Sequence, residues 1–284
     1  MGWISRQFPT RVIALIPVAI AINIVLGATV QQALKLPIYL DSIGTILVGV
    51  LAGPLAGLVT GALANLIWGY LLPAPIGVTT IGPFAITAAV IGVLAGIWGQ
   101  LGLFRTRRGE PGRALVGAVV AVILVGGLAL YTYGRAYANL GSFNNNVGGN
   151  AAISFDQSRL IFGFVMLVFV VLIAWALFLR RDVGAILAIA AGLVTGIAAA
   201  IVSAPIAAIV FGGVTGSGTD ALVAAFRAGG ASLQQAVLQQ GLLSDPLDKM
   251  ITSFVVFFII SSLSTRFVAR FPNGERAVPA GVTA

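Results

Sequence analysis

Two short clusters hold the side chains best suited to chemistry: Lys35, Tyr39 and Asp41 early in the chain, and Asp245, Asp248 and Lys249 late in it. Ammonium, phenol and carboxylate groups can seize a polar ligand through charge-assisted hydrogen bonds. Asn65, Trp68, Thr79, Thr80 and Asp220 lie between the clusters. The chain has no Cys and no His. That excludes disulfides, thiol nucleophiles, imidazole acid–base catalysis, and zinc or haem sites that need those ligands. No G-x-x-x-x-G-K-[ST] phosphate loop occurs either, so energy for any transport has to come from a partner. An enzyme would have to work with Asp, Ser or Lys, and no catalytic pair is read within one helix face. The chemistry indicated is binding, with no catalytic residue, cofactor or metal expected.

The elements that position these residues follow from composition. Of 284 residues, 59% are hydrophobic and 8% charged, against about 25% charged in an ordinary soluble domain. Apolar runs of 18 or more recur, and they lack the alternation of a β-barrel. The expected fold is all-α, a single integral membrane domain over 1–284 built as a polytopic helical bundle. The first span, 11–33, is read as a retained helix rather than a signal peptide. Gly49, Gly53, Gly57 and Gly61 then recur four apart, so they would share one helix face and suit close backbone approach. Pro54 interrupts that ladder.

Charge decides what Pro54 does. A tight turn at Gly53-Pro54 would split 38–72 into two arms, the first of 16 residues from Ile38. The following span then ends on the same side as the N-terminus, and eight spans result, with both termini cytoplasmic. Eleven basic residues fall inside: Arg6, Arg11, Arg105, Arg107, Arg108, Arg113, Arg180, Arg181, Arg266, Arg270 and Arg276. Five fall outside: Lys35, Arg135, Arg159, Arg227 and Lys249. This asymmetry follows the positive-inside rule and explains the net charge of +8 without nucleic acid.

Two outer connections are long. The first, 134–157, contains Asn144, Asn145, Asn146 and Asn150 and reads as a solvated loop. The second, within 213–245, reads as an external amphipathic cap of two short helices divided at Gly229-Gly230. The last span is expected to begin at Asp245 as cap, with Pro246 at its first position. Every polar candidate then falls toward the outer side and no charge near a midplane, which argues against an autonomous ion-coupled carrier. Lys35 and Asp41 would serve equally as interfacial anchors, and Trp68, Tyr39 and Trp98 as an aromatic belt. Asn65 is deeper, where an amide needs another helix or a ligand. Gly57-Leu58-Val59-Thr60-Gly61 recurs as Gly192-Leu193-Val194-Thr195-Gly196, a match too short to establish a repeat.

The stretch LDSIGTILVGVLAGPLAGLVTGALANLIWG, with its AGPLAG turn, resembles helices 2 and 3 of the substrate-binding S components of energy-coupling factor (ECF) transporters. DPLDKMITSFVVFF is similar to that family's last helix. The resemblance covers about 10–104 and 183–268. It implies a six-helix core with a two-helix insertion at 113–181, in the plasma membrane. It also implies capture of a vitamin or related micronutrient at the outer face and docking on a T component driven by two ABC-type ATPases. Substrate would meet Lys35, Tyr39, Asp41, Asn65, Trp68, Thr79, Asp220, Asp248 and Lys249. Pro17 and Ala21 stand nearest to the family's small-x-x-x-small docking pattern, and Gly49, Gly53, Gly57 and Gly61 would serve packing or coupling. A pocket with few charges would suit a mostly neutral aromatic vitamin such as riboflavin, or a large one such as cobalamin. The alternative is a membrane sensor that signals through a partner protein.

Overall fold

The structure is a computed structural model that describes residues 7–107, 111–138 and 154–278. Arg6, Arg108, the run from Asn144 to Asn150 and both extreme termini lie outside the described residues. Helix α1, Thr10–Gly27, continues through a π-helical turn, Ala28–Ala33. A non-helical strap, 34–42, leads to α2, Ile43–Ala52. Then come α3, Pro54–Leu66, with its own π-helical extension Ile67–Leu71, and α4, Ala85–Gln100, entered through a 3-10 turn at Thr79–Phe84. Helices α5, Pro111–Ala136, and α6, Phe155–Arg180, form the inserted pair. Helix α7 spans Val183–Phe211, α8 Asp220–Ala228 and α9 Leu233–Ser262, and two single turns, α10 Thr265–Val268 and α11 Gly274–Ala277, follow. No β-strand occurs among the described residues.

Among the described residues, six stretches are long and apolar enough to cross a bilayer: Thr10–Ala33, Pro54–Leu71, Thr79–Gln100, Ala114–Ala136, Phe155–Leu179 and Val183–Phe211. The chain is thus a multi-pass helical membrane protein. Helix α9 is long enough to cross but polar in its middle. Helix α2 is apolar but has 10 residues, about 15 Å at 1.5 Å each, half of a hydrocarbon core of about 30 Å. The 16-residue first arm is therefore corrected. Residues 38–42 are not helical, and the missing length is supplied by the strap, whose Leu36, Ile38 and Leu40 are buried. Irregular backbone is tolerated at such depth only when enclosed by protein.

The turn at Gly53-Pro54 is present. Gly53 has φ 118°, a region that L side chains rarely adopt, and Pro54 opens α3 where its missing N–H costs nothing. Gln7 Oε1 accepts the Leu55 amide at 3.0 Å on the far side of the turn. The remaining glycines of the ladder face α4. A Cβ on Gly57 would lie 2.3 Å from the Gly92 carbonyl oxygen, and one on Gly61 2.3 Å from that of Ala88. The echo behaves alike, because Gly192 and Gly196 press α7 onto the α9 backbone at Lys249 and Pro246. Both ladders serve internal packing, while Pro17 and Ala21 of α1 are exposed. Gly92→Ala would set a methyl 2.2 Å from the Gly57 backbone and is expected to cost about 1–3 kcal/mol. Gly126→Ala meets nothing within 4 Å and should be neutral or slightly stabilising. Melting temperatures in detergent check both.

The basic residues segregate as well. At one end Arg11 donates to the Arg270 carbonyl at 3.1 Å, Arg105 to that of Val278 at 2.7 Å, and Arg276 to that of Gln100. At the other, Arg135 stacks on Phe226 at 4.8 Å and Ser158 donates to the Lys35 carbonyl at 3.4 Å. The inserted pair thus touches both the strap and α8.

Candidate functional site

At the second end a cavity opens between the strap, α3, the 3-10 turn, α7, the loop 213–219 and α9. Its volume is about 840 Å³, including the part open to solvent at its mouth. Its walls combine Ile81, Phe84, Ile91 and Val223 with a polar floor.

The floor begins with α9. The residues Asp245 and Pro246 neither cap nor start a helix. They lie inside one continuous helix that begins at the capping box of Ser232 and Gln235. The expected division of 213–245 into two cap helices is corrected accordingly. Helix α8 is a separate amphipathic turn pair, whereas Leu233, Val237 and Leu238 belong to α9. Asp245, Asp248 and Lys249 sit near the centre of α9 rather than at its start, and are all buried. Asp245 and Lys249 are one turn apart on one face, a pair that sequence reasoning did not recognise.

These charges are held by the strap. Asp248 Oδ1 accepts the backbone amides of Leu40 at 2.7 Å and Tyr39 at 3.2 Å, and Oδ2 pairs with the Lys249 ammonium. Leu40 has φ 53°, and its fixed amide is what makes that conformation useful. The ammonium also lies 3.7 Å from Asp41 Oδ1 and 5.8 Å from the centre of the Tyr39 ring. Gln31 donates to Asp41 Oδ2 at 2.9 Å. The Tyr39 hydroxyl accepts from Gln240 at 3.0 Å and donates to Thr219 at 3.4 Å.

A second polar knot closes the loop 213–219. The Asp220 carboxylate accepts the amides of Thr215 and Gly216 and the Thr215 hydroxyl, all within 3.2 Å. Lys35 donates to the Gly216 carbonyl and, at 3.3 Å, to Gln32. Thr80 donates to the Thr215 carbonyl at 2.9 Å. Burial lowers the Lys35 ammonium, against the pull of Asp220, and raises Asp220 to about 6 from 3.8. A carboxyl that binds its proton more tightly when folded stabilises fully below about pH 4, and loses that contribution as pH rises through about 6. The melting temperature of the purified protein should therefore fall more steeply between pH 4.5 and 7 than that of Asp220→Asn, Lys35 being the charged group that faces it.

Of the residues expected to meet substrate, Tyr39, Asp41, Asn65, Asp220 and Lys249 line the cavity. Lys35 and Asp248 stand behind it as clamps. Trp68 is buried and donates its Nε1–H to the Ile76 carbonyl at 2.8 Å, so it packs rather than binds. Thr79 is exposed and is not brought to the cavity; its neighbour Thr80 does the linking. Sequence reasoning missed Gln31, Ser42, Thr87, Ser203 and Gln240. Single hydroxyls in apolar helices give no signal, and Gln31 and Gln240 each stand beside a second glutamine, so that each pair reads as an ordinary polar face. Three lining groups are left wanting. The Ser42 and Thr87 hydroxyls are buried without a hydrogen bond, and the Asn65 side chain makes none among the described residues.

Comparison with protein families, curated proteins and solved structures matches nothing. Function has to be argued from the cavity itself.

Proposed function

We propose that this protein is a substrate-capturing membrane component of the ECF type, which binds a micronutrient at the outer face of the plasma membrane and passes it to a T component and two ABC-type ATPases. One observation carries the reading: a cavity at one end of the bundle, lined by the strap and the loop 213–219, with buried polar groups left unpaired among the described residues. Such groups are costly unless something else completes them. In the proposed orientation the end bearing Arg11, Arg105 and Arg270 is cytoplasmic, as the basic-residue asymmetry requires. Eight segments enter the membrane, α2 as a half-length arm completed by the strap. Loops 34–42 and 213–219 line the cavity, and Thr80, at the end of 72–80, bonds to the second of them. One correction refines the ligand: the lining holds several charged residues, Asp41, Asp220, Asp245 and Lys249, rather than few.

Tagged protein from its native host is expected to bring down an ATPase pair and a further membrane subunit. Recovery of the folded protein alone, in repeated gentle preparations, would sink the reading. A second reading gains from the buried charges in α9, which ion-coupled carriers use. Uptake into proteoliposomes containing this chain alone, driven by an ion gradient, would decide for it.

A further inference from the structure

The charge balance of the cavity floor says what kind of ligand would complete it. Three carboxylates, Asp41, Asp245 and Asp248, surround one ammonium, Lys249. The neighbouring Asp220 has Lys35 as its own counter-charge. The four acids are not equally served. Asp248 is saturated by two backbone amides and Lys249. Asp220 is saturated by the loop 215–216. Asp41 has Gln31 and a share of Lys249. Asp245, 5% exposed and lining the cavity, has only the Ser203 hydroxyl at 3.4 Å.

Buried carboxylates short of partners are expensive. A metal ion does not answer, because no group of three or more acidic ligands is close enough to hold one among the described residues. The partner has to be an organic group that spreads its N–H donors over several oxygens. The same lining holds the unpaired Ser42 and Thr87 hydroxyls and the Asn65 amide as further polar points. Ile81, Phe84, Ile91 and Val223 supply its apolar walls.

The geometry points to a ligand made of a flat ring bearing a protonated or N–H-rich nitrogen group, an amine or amidine, seated against Asp245 and Asp41, with its ring between the apolar walls. This assignment rests on the capture reading and names its substrate class.

The full chain in mild detergent should be titrated, by ligand-observed NMR, with benzamidine, its neutral isostere benzamide and the anion benzoate. Benzamidine is expected to bind at least about tenfold more tightly than benzamide, equivalent to about 1.4 kcal/mol, with benzoate weakest. Asp245→Asn should erase that preference, and Asp41→Asn, whose group lies in the strap, should reduce it if the first variant fails to fold. Equal or tighter binding of benzamide or benzoate overturns the assignment, as does a preference that survives both substitutions. Mass spectrometry of molecules retained through purification separates the two levels. A neutral or anionic compound that competes at the cavity removes the cation class and leaves capture standing. A clear benzamidine preference without any co-purifying ATPase leaves the ligand class standing and removes the ECF reading. Failure to bind any probe or to retain any compound removes both.

Discussion

Asp248→Ala should cost about 3–5 kcal/mol, the largest loss expected from any single change, because it strands a buried cation. The aspartate is fully buried. Its removal leaves Lys249 with Asp41 at 3.7 Å and the more distant Asp245, and frees the amides of Tyr39 and Leu40 together. Those amides fix the strap, so the variant should lose both melting temperature and the shape of the cavity floor. Adding Lys249→Met to Asp248→Ala removes the stranded charge and is expected to restore part of the loss, though not the amide partners. A double-mutant cycle by thermal melting in detergent measures the coupling. If Asp248→Ala melts within about 1 kcal/mol of wild type, the strap is not held as described.

Trp68→Ala is the second, at about 3–5 kcal/mol for a fully buried large aromatic side chain. The indole fills the space over Gly27, where a Cβ would lie 2.5 Å from its ring, and its N–H holds the Ile76 carbonyl. The tryptophan does not line the cavity. Trp68→Phe, which keeps most of the ring and loses the hydrogen bond, should therefore recover most of the melting temperature. Probe affinities in Trp68→Phe should match those of wild type. A large change in probe selectivity with unchanged stability would instead return Trp68 to the ligand-binding set.

The hairpin at Gly53-Pro54 could be read from sequence because two independent signals met there: a glycine–proline pair with turn chemistry, and an arginine cluster that only a turn places with the N-terminal arginines. The start of the last helix misled for a physical reason. Asp245-Pro246 followed by Asp248 is locally the same whether a helix begins there or runs through. What settles it is the capping box at Ser232, thirteen residues before Asp245, and the α7 glycines that receive the Pro246 backbone. The far part of the strap, 38–42, was hidden for a related reason. Ile38 and Leu40 are apolar enough to read as the start of the next helix, and the hydrogen bonds from the Tyr39 and Leu40 amides to Asp248 hold the non-helical path instead. Tyr39, Asp41, Asn65, Asp220 and Lys249 were found because charge, phenol or amide groups are conspicuous in so apolar a chain. Thr87 and Ser203 are ordinary hydroxyls whose importance is set by the shape around them.

The placement of Asp245, Asp248 and Lys249 within α9 also bears on biogenesis. Each such residue near the centre of a nascent segment opposes entry into lipid by about 2.5–3.5 kcal/mol, so α9 is a poor substrate for the insertion machinery by itself. Its polar counterparts, Gln31, Tyr39 and Asp41, and the α7 glycines that receive its backbone, are all synthesised before it. On the proposed topology, α9 integrates by pairing with structure already in place. The floor of the binding cavity is then also the checkpoint that decides whether the chain completes its assembly in the membrane.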